Sequence, residues 1–177
     1  MFDFNNAKKR LDEVITPTHL FYSEFFSDID SNNVYIKPEN LQKTGSFKIR
    51  GAYNKLSKLD DASKEVGIIT ASAGNHAQGV AYSANKLGID ATICMPEQTP
   101  MIKVDGTLKY GANVVLHGDN FDACKDHAIK LAKENGYTGI PNGDVGGVPT
   151  PDKYYSNDQL DTDTGLPKED AVPHDVE

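Results

Sequence analysis

The stretch Val66-Gly67-Ile68-Ile69-Thr70-Ala71-Ser72-Ala73-Gly74-Asn75-His76-Ala77-Gln78-Gly79 decides the fold class. Its opening residues, Val66 to Thr70, are β-branched and apolar and predict a buried strand. Small residues then turn the chain, and Asn75 to Leu87 predicts a helix. Working downstream, Ala91-Thr92-Ile93-Cys94-Met95 predicts a strand and Pro100 to Tyr110 a helix. Asn113-Val114-Val115-Leu116 predicts a third strand, and Asp119 to Asn135 a further helix. Gly88, Gly111 and Gly136 each fall just past a helix, where a left-handed residue is commonly required. This alternation predicts an α/β fold, a three-layer parallel sheet with helices on both faces joined by right-handed crossovers.

Upstream, Asn5 to Val14 predicts a short amphipathic helix that Thr16-Pro17 ends. A second short helix is expected near Tyr22 to Phe26, and a strand at Val34-Tyr35-Ile36. From Ser46 to Leu59 the apolar positions Phe47, Ile49, Ala52, Tyr53, Leu56 and Leu59 recur at helical spacing, which puts Lys48 in the first turn of that helix. After Tyr137 the pattern stops. Residues 139–177 begin with the turn-forming run Gly139 to Pro151, and acids there far outnumber Lys153 and Lys168, so an acidic, disordered tail is expected.

The formal charge of −8 argues against nucleic acid as a partner, because phosphate binding draws on lysine and arginine. No apolar run approaches the roughly 20 residues needed to span a bilayer, so no membrane partner is expected. Met1 to Asn6 lack the basic region and apolar stretch of a secretory signal, and the expected location is the cytoplasm. Cys94 and Cys124 have no CxxC spacing and read as reduced, buried thiols. His19, His117, His127 and His174 are scattered, and no metal site is expected.

Two segments carry chemistry. A lysine that attacks an aldehyde must be neutral part of the time, so apolar flanks, nearby positive charge and a helix N-terminus favour it. Lys48 lies between Phe47 and Ile49 with Arg50 close by. The second segment, Thr70 to Gly79, stands where a strand turns into a helix. Free N–H groups at such a helix start can hold a carboxylate or phosphate, and the carboxyl end of a parallel strand is where open α/β sheets bind ligands. The plainer reading is a tight turn with Ser72 or Asn75 as N-cap.

Taken together, Ser-Phe-Lys-Ile-Arg-Gly-Ala at 46–52 and Ser-Ala-Gly-Asn-His-Ala-Gln-Gly at 72–79 resemble the lysine segment and the asparagine loop of the fold-type II pyridoxal-phosphate enzymes. The likeness is to the threonine/serine dehydratases in particular, biosynthetic and catabolic. Thr16-Pro17, Tyr35 to Gln42, Met95-Pro96-Glu97 and Lys109 to Ala112 fit the same family in the same order. The resemblance implies pyridoxal 5'-phosphate as cofactor, Lys48 as the catalytic Schiff-base lysine, Phe47 packed beside the cofactor, and Asn75 bonded to its 3-oxygen. It implies further that backbone amides around Ser72, Gly74, Asn75 and His76 hold the carboxylate of an amino-acid substrate, with the His76 ring secondary to its backbone. The implied reaction is an α,β-elimination of threonine or serine to a 2-oxo acid and ammonia. Ala73 stands where serine racemases of the family place a second catalytic serine, which favours elimination.

The resemblance also divides the chain. Residues 1–50 would open a large cofactor-binding domain left incomplete here, and residues 51–138 would form the small α/β domain. Family members continue into a glycine-rich phosphate loop and a Ser or Cys near the pyridine nitrogen, which have no counterpart in this sequence. A silent α/β binding module is the alternative function. Either way uncovered apolar surface is expected, and a homo-oligomer would be consistent with it.

Overall fold

The computed structural model describes residues 3–30 and 32–141, together with the backbone of two short strands at Lys153–Tyr154 and His174–Asp175. Residues Met1–Asn142 form one compact unit and Gly143–Glu177 another. In the second unit the two short strands pair antiparallel, Lys153 with Asp175 and Tyr154 with His174. The rest of the expected acidic tail lies outside the described residues.

The sheet of the first unit is built from β3 (Ile68–Ala71), β4 (Ala91–Met95), β5 (Asn113–Leu116) and β6 (Thr138–Gly139). Its strand order is β5-β4-β3-β6, and every pairing is parallel. Every residue of β3 and β4 is buried, as central strands covered on both faces require. Alternate residues serve the two faces. Ile68, Ile93 and Met95 join Ala52 and Leu56 of α3 (Lys48–Leu56), Ala77, Val80, Ala81 and Ala84 of α5 (Asn75–Leu87), and Val104 of α6 (Met101–Leu108). On the other face Ile69, Ala71 and Cys94 pack with Cys124 and Ala128 of α7 (Phe121–Asn135). This is the expected three-layer arrangement.

The local signals read in the sequence set these elements. Helix α5, β4 and β5 have the expected bounds, and Gly88, Gly111 and Gly136 all adopt positive φ, at 67°, 83° and 75°. Asn120 caps α7 by accepting a hydrogen bond from the Ala123 N–H at 2.9 Å. Burial raises the Cys94 thiol to about 11 and also raises Cys124, which leaves both protonated, free and inert.

Three local expectations are corrected. Val66 does not open the strand; it ends the helix α4 (Asp61–Val66), whose Asp60 cap accepts from the Ser63 N–H at 2.7 Å, and Gly67 breaks the chain at φ 86° before β3 starts. The pattern does not stop at Tyr137, because β6 bonds to β3 through Thr138 N–H to Gly67 O at 3.0 Å and Ile140 N–H to Ile69 O at 2.8 Å. The helix expected near Tyr22 to Phe26 is split. Phe21–Tyr22 form strand β1, paired antiparallel with β2 (Tyr35–Ile36), and α2 covers Glu24–Asp30. The amino-terminal helix α1 covers Phe4–Leu11.

Polar contacts tie the amino-terminal arm to α3. Arg10 Nε donates to Asn54 Oδ1 at 2.9 Å, and the buried Gln42 amide both accepts from and donates to the Thr16 backbone, at 3.0 and 2.8 Å. Glu39 accepts two hydrogen bonds from Arg50, at 2.7 and 2.9 Å, and one from Thr18 Oγ1 at 2.6 Å. Arg50 above all holds the Glu39 carboxyl down at about 2.

Candidate active site

A cleft of about 450 Å³ opens at the carboxyl ends of β3, β4 and β5. Its walls are Lys48, the loop Ser72 to His76, Lys103 from α6 and Phe121 from α7. Each of these helices follows a strand or packs on the sheet, so four separate stretches of sequence converge where a parallel sheet exposes its strand ends.

Lys48 is the first residue of α3 and is partly buried, anchored by the fully buried Ile49 beside it. Its backbone N–H reaches Ser46 Oγ at 3.4 Å, and its Nζ lies 5.3 Å from the centre of the Phe47 ring. The charge on Arg50, expected from sequence to act on Lys48, is instead turned to Glu39 and neutralised there.

The loop at 72–76 differs from the plainer reading in one respect that matters. Neither Ser72 nor Asn75 caps α5. The N-cap is Gly74, with no side-chain acceptor, and Ser72 Oγ accepts only from the Gly74 N–H at 3.4 Å. The N–H groups of Asn75, His76 and Ala77 are therefore left without an intrahelical or capping partner, and the positive end of a 13-residue helix faces the cleft. An anion is the complement of that arrangement.

His76 is buried, and its Nε2 has no hydrogen-bond partner. Burial, with a smaller contribution from the Lys48 charge, lowers its pKa to about 4, so the ring is neutral at neutral pH. Among the described residues that line the cleft, the positive side chains are then Lys48 and Lys103.

Of the residues singled out in the sequence, Lys48, Ser72, Gly74, Asn75 and His76 meet at one cleft, whereas Phe47 stands beside Lys48 with its ring half exposed and does not line it. Lys103 and Phe121 were not anticipated. The usable signal was positional, since both lie in the first turn of a helix that follows a parallel strand. Among the described residues no cluster of three or more metal-ligating side chains occurs, and no helix is long and apolar enough to cross a membrane.

Comparison with known proteins adds chemistry to this geometry. The family model described as pyridoxal-phosphate dependent enzyme matches residues 11–153. L-threonine dehydratase catabolic TdcB of Staphylococcus aureus (strain USA300) is 53% identical over 137 residues, which cover 77% of this chain and 40% of the relative. The processed form of threonine deaminase isoform 2 from Solanum lycopersicum superposes with a TM-score of 0.70 at 40% identity, covering 79% of this chain and 41% of that one. Maize serine racemase superposes with a TM-score of 0.72 at 31% identity, covering 77% and 41%. The chain thus spans about 40% of the length of the curated relatives it matches.

Proposed function

We propose a reaction on one premise: the chain belongs to the pyridoxal-phosphate dependent enzyme family. The reaction is deamination of L-threonine, and of L-serine as a second substrate, to a 2-oxo acid and ammonia. The observation that carries it is the juxtaposition of Lys48 with the uncapped N-terminus of α5 across one cleft. The residues fit the cofactor in two respects. A partly buried primary amine faces the cleft, and beside it stand unpartnered helix amides and the orphaned His76 Nε2. Pyridoxal phosphate, when bound, supplies the electron sink that makes the substrate α-proton removable.

The chain's own residues do the rest. Lys48 would hold the cofactor covalently and would serve as acid and base for the substrate α-proton. The Ser72 N–H is taken by the Cys94 carbonyl at 3.0 Å and the Gly74 N–H by Ser72 Oγ, so of the amides expected from sequence those of Asn75 and His76, joined by Ala77, would hold the substrate carboxylate, helped by the helix dipole. The Asn75 side chain would orient the cofactor ring, while Phe47, outside the cleft, stands against the Lys48 side chain. Ala73 supplies no hydroxyl at the position before Gly74-Asn75, so no second acid returns a proton to the opposite face of the α-carbon, and elimination prevails over racemisation. Threonine leaves as 2-oxobutanoate and ammonia. The Staphylococcus aureus relative is named a catabolic enzyme, which favours a degradative role over isoleucine biosynthesis. A cytoplasmic location accompanies this reading, as does a division into residues 1–50, the start of a large domain, and 51–138, the small one.

The test mixes the purified chain with pyridoxal phosphate and follows the visible absorbance of the lysine-bound cofactor. A band that Lys48→Ala abolishes, with 2-oxobutanoate formed from threonine, is the expected result. A band that survives Lys48→Ala refutes the assignment of Lys48.

A further inference from the structure

The densest contact between helices in this unit is that of α3 with α5, and one residue sets how close it can be. Gly79 lies in the interior of α5, where glycine is disfavoured relative to alanine because it forfeits backbone entropy. The three atoms nearest a Cβ built there would all be backbone: Lys48 C at 3.1 Å, Ile49 N at 3.2 Å and Lys48 O at 3.3 Å. Such contacts are tighter than ordinary packing, and backbone inside a helix cannot rotate aside as a side chain can. At Gly106 the comparable Cβ meets only the end of the Gln78 side chain, which can swing away.

The placement of this contact on α5 gives it meaning. Asn75, Gly79 and Ser83 are spaced four apart and share one face of the helix. Asn75 opens that face at the cleft, Gly79 lies one turn behind it against Lys48, and the buried Ser83 hydroxyl donates to the Gly79 carbonyl at 2.7 Å. A shift of a few tenths of an ångström between α3 and α5 at Gly79 therefore changes the distance between the Lys48 amine and the first turn of α5.

We propose that Gly79 is a positioning residue for Lys48: the missing side chain lets the two helices meet at the Lys48 backbone and so sets where its amine stands relative to the amides of α5. The inference deepens the reading of Lys48 as the cofactor-bonding lysine and rests on it for its consequence, though the contact itself does not.

The experiment compares the full chain with its Gly79→Ala and Ser83→Ala variants. Each is incubated with pyridoxal phosphate, so that a lysine amine condenses with the aldehyde and releases water, and the product is trapped with borohydride. Peptide mass spectrometry then gives the yield at Lys48 relative to Lys103, the other lysine of the cleft. Gly79→Ala is expected to lower that ratio about tenfold, in keeping with the sensitivity of positioned reactions to small displacements. Ser83→Ala, which loosens the same helix without adding an atom against Lys48, is expected to leave it unchanged. An unchanged ratio in Gly79→Ala, or an equal fall in Ser83→Ala, overturns the proposal. If the unsubstituted chain shows no preference for Lys48 over Lys103, the cofactor assignment fails instead. Gly79 is then judged by amide chemical shifts, whose largest change outside α5 must fall at Lys48 and Ile49. Should Gly79→Ala not fold, a nuclear Overhauser contact between the Gly79 α-protons and the Ile49 amide in the unsubstituted chain supports the close approach, and its absence refutes it.

Discussion

The arm from Leu20 to Phe47 and the β3-α5-β4 unit from Ile68 to Met95 are of similar length but use apolar residues in opposite ways. In the second, Ile68, Ile69, Val80, Ile93 and Met95 are buried. In the first, Leu20, Phe21, Phe25, Ile29, Tyr35 and Leu41 are exposed, although this arm is the richer in aromatic residues. The β3-α5-β4 unit sits at the centre of both core clusters, covered by α5 with α3 and α6 on one face and by α7 on the other. The arm is held by directed polar bonds, the Gln42–Thr16 pair and the Glu39–Arg50–Thr18 cluster, which set its position without covering its apolar side. Attachment and burial are thus separable: a segment can be fixed in place by a few good hydrogen bonds while its apolar surface stays open.

The largest expected effect tests the buried side of that contrast. Ile93 is fully buried in the middle of the central strand β4, in the cluster shared by α3, α5 and α6. Ile93→Ala removes three carbons from a site closed on every side, and should cost about 2–5 kcal/mol in urea unfolding. A cost near zero would mean that the core can collapse around the gap, and that the sheet is less tightly specified than its burial implies.

A somewhat smaller effect connects the core to the site. His76 is buried in the neutral form with its pKa lowered to about 4 from an ordinary 6.5, first by burial and then by the Lys48 charge. A depressed pKa means that the unfolded chain binds the proton more readily. The His76 contribution to stability is therefore fully present above about 6.5 and is lost as pH falls through about 4. Unfolding measured across this window should lose up to about 3 kcal/mol in the unsubstituted chain. The loss should shrink in His76→Asn, and Lys48→Met should shrink it by a lesser amount. An undiminished pH dependence in His76→Asn would assign the effect to other groups.

Legibility in the sequence follows the same division. Where an element is long and repeats its period several times, as in α5, or where β-branched residues run between turns, as in β4 and β5, the bounds could be read from the residues. Where an element is short and its bonds come from a distant neighbour, they could not. Strand β6 is two residues long and owes its existence to the free edge of β3, about which Thr138-Gly139 carries no side-chain signal. Val66, a β-branched residue next to Ile68-Ile69, extends a strand pattern in sequence, while the capping by Asp60 and the break at Gly67 outweigh it and make it the end of α4. In the site, Lys48 and the 72–76 loop were legible because each has a local sequence signature. Lys103 and Phe121 reach the same cleft only through the strand order, which brings the ends of β4 and β5 beside that of β3.

The smallest expected effect on stability is the sharpest probe of the arm. Ile29 on α2 is 66% exposed and Leu41 is 60% exposed, against 0% for Ile93. Little of their surface leaves water on folding in this structure, so replacing each with Gln should change unfolding free energy by no more than about 0.5 kcal/mol. The same double substitution should lower the binding of an apolar fluorescent dye and reduce self-association in sedimentation, because it removes two exposed apolar side chains. Unchanged stability with reduced dye binding is the signature of a face held in position but uncovered. A destabilisation comparable to that of Ile93→Ala would erase the contrast, since it would show that Ile29 and Leu41 are buried in solution within the chain itself. Dye binding that does not change would place the accessible apolar surface elsewhere and leave the arm with no distinct role in association.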